Sequence, residues 1–434
     1  MCYVFGKRPV NAAALLIILS LVVLRAGVVS AQVTLEMWVS ASADEATQRE
    51  AIARFEREHP GIKVNLVRMP FGEIRSQLMV TAAAGVAPDV VEHIEASAWG
   101  YLGIAEPLDA FIARDDYDMS AYHPLALGPE RYWNGRIWGL PRNLELDVIL
   151  YNREMFQASG LANEPADWNE FEQYVRALTR YGPDGAVTVH GFSPQSIEVF
   201  LAGNGAPDLL EPNSQSAVRT NFNHPKVVEA GEFLTGMYRS GVALPYSSWS
   251  ASQLQTGSVA MWGGRVFWVQ DAFRNPELGI DLDFFLAPPK VAGDLVPIVG
   301  DAGGAILMTR QSRKKDAAWE LIKYWGSRET LSEVWGTGTY GMLSPYKDAH
   351  DPQVNSLAHV YLGDPIIERL IFLSQVAVAR PHSFQIFHVL REDLSAVWNE
   401  AWTRVRQGEV DVQTALDEAA RQGDILLAQL HQGD

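Results

Sequence analysis

Residues 33–93 read VTLEMWVSASADEATQREAIARFEREHPGIKVNLVRMPFGEIRSQLMVTAAAGVAPDVVEH. Val33–Val39 alternates apolar and polar residues, the period of a half-buried strand. Ser42-x-x-Glu45 has the spacing of a capping box. It predicts a helix to about Glu58 with Ile52 and Phe55 inward and Pro60-Gly61 as its stop. Ile62, Val64 and Leu66 alternate in a second strand. Ile74, Leu78 and Ala82 mark the inner face of a second helix ended by Gly85, and Pro88 leads into a third strand, Asp89–His93. Strand–helix–strand–helix–strand with short connections predicts a parallel, doubly wound α/β sheet. Solutes of such sheets sit beyond the carboxyl ends of the strands. Those ends make Trp38, Ser40, His93 and Glu95 candidate contacts, although Trp38 suits a core position and a lone histidine is commonly a satisfied hydrogen-bonding group.

Further along, Ile137–Leu140 precedes Pro141-Arg142-Asn143-Leu144-Glu145 and an apolar strand through Tyr151. Asp167-x-x-Glu170 is a second capping box, opening a helix with Phe171, Tyr174, Val175 and Leu178 inward. Strands follow at Val187–Phe192, Leu282–Leu286, Val296–Gly300 and Ala305–Thr309, with helices at Ser196–Leu201 and Lys226–Arg239. The last third is helical, with Phe384–Gln407 ended by Gly408 and then Val412–Leu430. Two αβ sets and a helical tail predict two lobes, which 403 residues beyond the leader would also require.

That leader is residues 1–31. Lys7 and Arg8 precede the apolar run Ala12–Leu24, and Val29-Ser30-Ala31 has the small residues of a cleavage site, so a secretory signal peptide is expected. The run is too short to span a bilayer. Cys2, the only cysteine, lies ahead of it, so neither a disulfide nor a lipid-bearing thiol is expected in the exported protein. Loss of Lys7, Arg8 and Arg25 takes the formal net charge from −17 to −20, which argues against nucleic acid and anionic membranes.

The stretch Tyr246–Gln270, YSSWSASQLQTGSVAMWGGRVFWVQ, predicts a short helix (Ser250–Thr256) and a strand (Ser258–Trp262) that ends at Gly263-Gly264 and runs into a second amphipathic segment. Free N–H groups at such a helix start, beside Trp262, Phe267 and Trp268, would suit the hydroxyl edge and C–H faces of a sugar. Glu145, with Asp147 on the same face, is an acid inside an apolar strand and needs a partner: a hydroxyl pair, or Arg142. Arg142 and Asn143 could donate to a solute or hold one another. Asp301, Gly303 with Gly304, and Tyr340 complete the candidates.

Seven segments in this order resemble the extracellular solute-binding proteins of ABC importers, the family that includes maltose-binding protein. They are TLEMWVSASADEATQREAIARFEREHPGIKVNL, the Pro88-Asp89-Val90 triplet, GLPRNLELDVILYNREMF, PADWNEFEQYVRAL, GSVAMWGGRVFWV, GGAILMTRQSRKKDAAWELIKYW and FQIFHVLREDLSAVWNEAWTRVRQGEVDVQTALDEAA. The resemblance implies a two-lobed periplasmic-binding-protein fold of type II that traps solute by hinge closure. Chain crossings would fall near Arg142–Glu145, Gly300–Asp301 and Tyr340–Met342. Lobe one would be 32–141 with 301–341, and lobe two 142–300 with 342–434. It further implies a periplasmic or extracellular, monomeric, non-enzymatic partner of membrane permease subunits. A carboxylate at Glu145 would touch sugar, and a stacking ring would fall at Phe267 or Trp268.

Other readings are weighed on their chemistry. The Gly336–Gly341 stretch fits GxGxxG but lacks the strand before and helix after that a dinucleotide site needs. The histidines never fall at HxH or HxxxH spacing, so no metal and no cofactor is expected. A polyol phosphate would want converging cations, which Arg142, Arg265 and Arg380 could supply, and a polyamine would want Glu145, Asp147 and Glu95. An exported glycoside hydrolase would need two carboxyls roughly 5–10 Å apart across the cleft.

Overall fold

The computed structural model describes residues 32–94, 96–131, 133–195, 197–245, 251–266, 279–337, 342–376, 379–381 and 388–432. Its strands in chain order are β1 (Val33–Ser40), β2 (Ile62–Met69), β3 (Val90–His93), β4 (Leu140–Pro141), β5 (Glu145–Asn152), β6 (Arg180–Tyr181) and β7 (Val187–Pro194). Then come β8 (Leu210–Glu211), β9 (Arg219–Thr220), β10 (Val259–Arg265), β11 (Leu282–Phe285), β12 (Ile298–Asp301), β13 (Ala305–Met308) and β14 (Ala379–Pro381).

The first sheet has the order β2-β1-β3-β13-β4. β1 runs parallel to β2 from Val33↔Ile62 to Ser40↔Met69, and parallel to β3 at Met37↔Val90, as the alternation in residues 33–93 predicts. β13 then joins β3 antiparallel, with Ala305 opposite His93, so the sheet is mixed and not wholly parallel. A distant strand returning from the second half of the chain fills that position, which local periodicity does not reveal. The helix Glu45–Glu58 buries Ile52 and Phe55, and Phe71–Ala83 buries Ile74 and Leu78. Gly85, at φ +76, ends the latter in the left-handed region that glycine adopts without a Cβ penalty.

The first helix is capped two residues later than the Ser42 spacing predicts. Asp44 accepts the Thr47 N–H at 2.8 Å, while Ser42 takes a hydrogen bond with Ser40. At the helix Trp168–Leu178, Asp167 is the cap as read, accepting from the Glu170 N–H at 2.8 Å, but Glu170 reaches one residue further back than a capping box does and accepts the Ala166 N–H at 2.6 Å.

In the second sheet, β14-β12-β5-β10-β7-β6 lie side by side, and β11 also pairs with β5. β5 is the axis, antiparallel to β10 along one edge and, along the other, to β12 at Glu145–Asp147 and β11 at Ile149–Asn152. Every residue of β5 except Tyr151 is buried. One apolar core runs from Leu35 and Met37 of the first sheet through Leu146 and Val148 to Leu282 and Ile298 of the second. Separate cores back each sheet on its far side, around Trp38, Ile74 and Trp99 and around Phe171, Phe192 and Phe200. The helices Arg391–Gln407 and Val412–Gln432 close the second body, with Gly408 at φ 73 between them.

Gly191 is where β7 meets the helix Trp168–Leu178. A Cβ there would collide with the Val175 carbonyl group, its carbon 2.7 Å away, and backbone cannot swing aside. Gly191→Ala is therefore expected to lose about 1–3 kcal/mol in urea unfolding, the range for overpacking. Asp44→Ala, which removes only a cap, should lose about 1 kcal/mol.

Candidate functional site at the chain crossings

The chain passes from the first sheet to the second between β4 and β5, and back between β12 and β13. Leu343 returns beside the first of these, its carbonyl accepting the Leu144 N–H at 2.9 Å. Strand register decides which side chains meet there. Asp301 lies opposite Glu145, and Arg265 opposite Asp147. Glu145 and Asp147, two residues apart on β5, share a face.

The result is one guanidinium within reach of three carboxylates. Arg265 donates to Glu145 and, at 2.8 and 3.3 Å, to both carboxylate oxygens of Asp301, and its Nε lies 3.9 Å from Asp147. All three acids are buried, and the Arg265 side chain is 17% exposed. Burial alone would lower the Arg265 pKa, but Asp301, Glu145 and Asp147 outweigh it and hold the guanidinium charged well above its ordinary range.

A second buried cation sits beside this cluster. Arg142 donates to Glu92 at 3.0 Å, to the Gly303 carbonyl at 3.0 Å and to Asn143 at 3.2 Å, and lies 4.3 Å over the Trp335 ring. The Trp325 indole N–H donates to the other Glu92 oxygen at 2.8 Å. Asn143 joins the two groups by donating to Glu145 at 3.2 Å. Glu145 is thus paired with Arg265 and Asn143, not with Arg142 as its nearness in sequence suggests.

Gly303 and Gly304 belong to this packing. A Cβ on Gly303 would collide with the Glu145 carboxylate and lie 2.5 Å from the Asn143 amide. One on Gly304 would lie 2.6 Å from the Arg142 guanidinium carbon. The close backbone approach that Gly-Gly permits is made here to the protein's own charged side chains.

The structure corrects the reading of Gly263-Gly264. β10 continues through both glycines to Arg265, with Gly263 opposite Ile149 and Gly264 opposite Val148, so their backbone belongs to the ladder and is not a helix start. Their missing Cβ atoms make room for the Phe192 ring, 2.9 Å from a Gly263 Cβ, and for the Trp262 ring, 2.6 Å from a Gly264 Cβ. Trp262 is 1% exposed within the core and has no face left for a solute. Trp38 is likewise a core residue, packed with Ile74, Leu78 and Trp99, its indole N–H donating to Glu36 at 2.8 Å. Ser40 is buried and hydrogen-bonded to Ser42 at 2.8 Å.

His93 is buried, stacked 5.1 Å from the Phe71 ring and 5.8 Å edge-on to Trp99. Burial, with Arg391, Arg75 and Arg142 nearby, lowers its pKa to about 3. Glu95, Phe267, Trp268 and Tyr340 lie outside the described residues. Of the candidates, Arg142, Asn143, Glu145, Asp301 and Gly303 are brought together. Two central residues were not singled out for this place, Arg265 and Glu92. The signal for Glu92 was present in Val90-Val91-Glu92-His93, an acid inside an apolar strand. Arg380, weighed as a phosphate ligand, instead donates to the carbonyls of Ala206 and Pro207 at 2.7 and 3.1 Å.

Two outcomes follow from these contacts. Arg265→Ala leaves buried carboxylates uncompensated and should lose about 3–5 kcal/mol of unfolding free energy, measured by denaturant titration at neutral pH. The depressed pKa of His93 has a definite sign. The unfolded chain, with an imidazole near 6.5, takes the proton first, so the stability His93 contributes is complete above pH 6.5 and is lost as pH falls toward 3. His93→Gln should flatten the stability profile between pH 6.5 and 4.5 by up to about 1.4 kcal/mol per pH unit.

The fold and a protein-family model point the same way. The sugar-binding protein MalE from Xanthomonas citri superposes with a TM-score of 0.74 at 21% identity, covering 92% of this chain and 98% of that one. An ABC substrate-binding protein from Listeria monocytogenes, in complex with cycloalternan, gives 0.73 at 20% identity over 92% and 99%. In sequence, the sn-glycerol-3-phosphate-binding periplasmic protein of Yersinia pseudotuberculosis is 24% identical over 431 residues, 92% of this chain and 93% of that protein. Residues 50–360, well over half of the chain, match the family model described as bacterial extracellular solute-binding protein. With two bodies joined by crossings that hold a buried polar cluster, the chain belongs to the bacterial extracellular solute-binding protein family.

Proposed function

We propose that this protein captures a carbohydrate between its two bodies and hands it to the permease of an ABC importer. Membership of the family makes it a binding component and not an enzyme. In this reading the connections at 142–144 and 302–304, with a third near 340–342, form the hinge; 32–141 with 301–341 form one lobe, apart from Asp301, which ends β12 in the second sheet, and the rest of the exported chain forms the other. Export by the leader at residues 1–31 would deliver it to the periplasm or cell exterior. No helix among the described residues is long and apolar enough to cross a membrane.

The charge arrangement at the crossings carries the choice of solute. Arg265, the cation best placed to meet an anion, is already engaged by Glu145 and Asp301, with Asp147 close by. A phosphate approaching it would meet three carboxylates, which disfavours an anion there and favours an uncharged solute. The sugar-binding MalE and the cycloalternan-bound Listeria protein, which share this fold, support the same reading. A phosphorylated polyol remains the second reading, because the Yersinia glycerol-3-phosphate-binding protein aligns over nearly the whole chain.

Thermal shift of the exported chain separates the two. Maltotriose or a related oligosaccharide at 100 times its dissociation constant should add about 2.7 kcal/mol of stability, and sn-glycerol 3-phosphate should add none. A shift with sn-glycerol 3-phosphate and none with any sugar would reverse the assignment. A shift with spermidine alone would point to a polyamine.

A further inference from the structure

Away from the crossings, the two bodies touch directly. Ile94, just past the end of β3, packs into an apolar cluster of Leu210, Ala217, Leu394 and Leu427, all from the second body. Beside it, Gln215, in the loop between β8 and β9, uses both ends of its amide. Its nitrogen donates to the Ser97 hydroxyl at 3.2 Å, and its oxygen accepts the Val389 N–H at 3.0 Å. Ser97 and Gln215 are both fully buried. Arg75, on the helix Phe71–Ala83, reaches the Val389 carbonyl at 3.5 Å.

These contacts differ in kind from the cluster at the crossings. The cluster at the crossings lies where the chain itself joins the bodies, and its Arg265, Glu145 and Asp301 sit on paired strands of one sheet. Ile94, Ser97 and Arg75 reach across to Gln215, Val389 and Leu394, and parting the bodies would break every one of them. They also join protein to protein with no room for a solute between the buried partners. The Ile94 contact favours closure by removing apolar surface from water. The Gln215 amide fixes the seating, because a buried amide without its partners is costly.

We propose that Ile94, Ser97 and Gln215 form a latch that populates the shut arrangement in the absence of solute and so sets the apparent affinity. A solute that binds the shut form has an apparent dissociation constant equal to its intrinsic one divided by the fraction already shut. A tenfold loss of that fraction therefore weakens binding tenfold without a change in any solute contact. The proposal rests on the two-lobed hinge reading and not on the identity of the solute.

Disulfide trapping tests it. The native chain has its only cysteine at Cys2, inside the expected leader, so Ser97→Cys with Gln215→Cys can be introduced into residues 32–434 without competing thiols. With oxidised glutathione and no solute, the pair should crosslink. Adding Ile94→Ser should slow crosslinking at least tenfold and speed alkylation of reduced Cys at position 97 by iodoacetamide to a similar degree. Ile94→Val, which keeps the apolar contact, should restore most of both rates, and cooperative melting of each variant controls for folding. The latch is overturned, with hinge motion left standing, if alkylation proceeds but no crosslink forms without solute, or if Ile94→Ser changes neither rate. Absence of alkylation in every variant would mean the bodies do not part, and would remove the hinge reading as well.

Discussion

Burying a guanidinium among three carboxylates is tolerable only while all four groups stay in register. Arg265 sits opposite Asp147 and beside Asp301, and Asp301 sits opposite Glu145. A one-residue slip of β10 or β12 against β5 would turn these charges to the other side of the sheet, where Leu146 and Val148 face apolar core. Charges stranded there would cost several kcal/mol each. The cluster thus penalises every pairing but one for the three strands at the centre of the second sheet. Two further constraints descend from it. The turn after Asp301 must have glycine at 303 to clear the Glu145 carboxylate, and glycine at 304 to clear Arg142.

The same polar groups stand where the chain changes sheets, which gives them a mechanical role alongside any contact with solute. Arg142 is tied to Glu92 in β3 and to the Gly303 carbonyl, so the first and second crossings are held to the middle strand of the first sheet. On the proposed hinge reading, a crossing braced in this way would confine motion between the bodies to rotation about a short segment. Binding would then shift an equilibrium by whatever contacts differ between the open and shut forms of that reading. On this account the crossings supply geometry, and the surfaces at Ile94 and Gln215 supply part of the bias toward closure.

Much of the fold is legible in the sequence. The helical faces at Ile52 and Phe55, at Ile74 and Leu78, and at Phe171, Tyr174, Val175 and Leu178 are all buried as their spacing predicts. Less legible is what a polar or aromatic residue does once its neighbours come from elsewhere. Gly263-Gly264 looks like a strand end because glycine weakens strands. It is instead strand interior, since Phe192 and the Trp262 ring occupy the space that side chains would need. Asp44 displaced Ser42 as the cap because its carboxylate meets both the Thr47 N–H and its hydroxyl.

What the sequence determined by itself is the local order of elements and the family. The order of elements rests on periodicity and caps, and the family on seven segments that resemble it in their order; both are properties of residues near one another in the chain. The composition of the buried cluster was decided by the tertiary structure. Glu145 and Arg265 are 120 positions apart, and Arg265 and Asp301 a further 36. Their meeting depends on the pairing of β10 and β12 with opposite edges of β5. A hydrophobic pattern says that a strand is buried, but the neighbour it takes follows from packing of the whole sheet. That is why Glu145 was recognisable as an acid in need of a partner, while the partner itself could be read only from the fold.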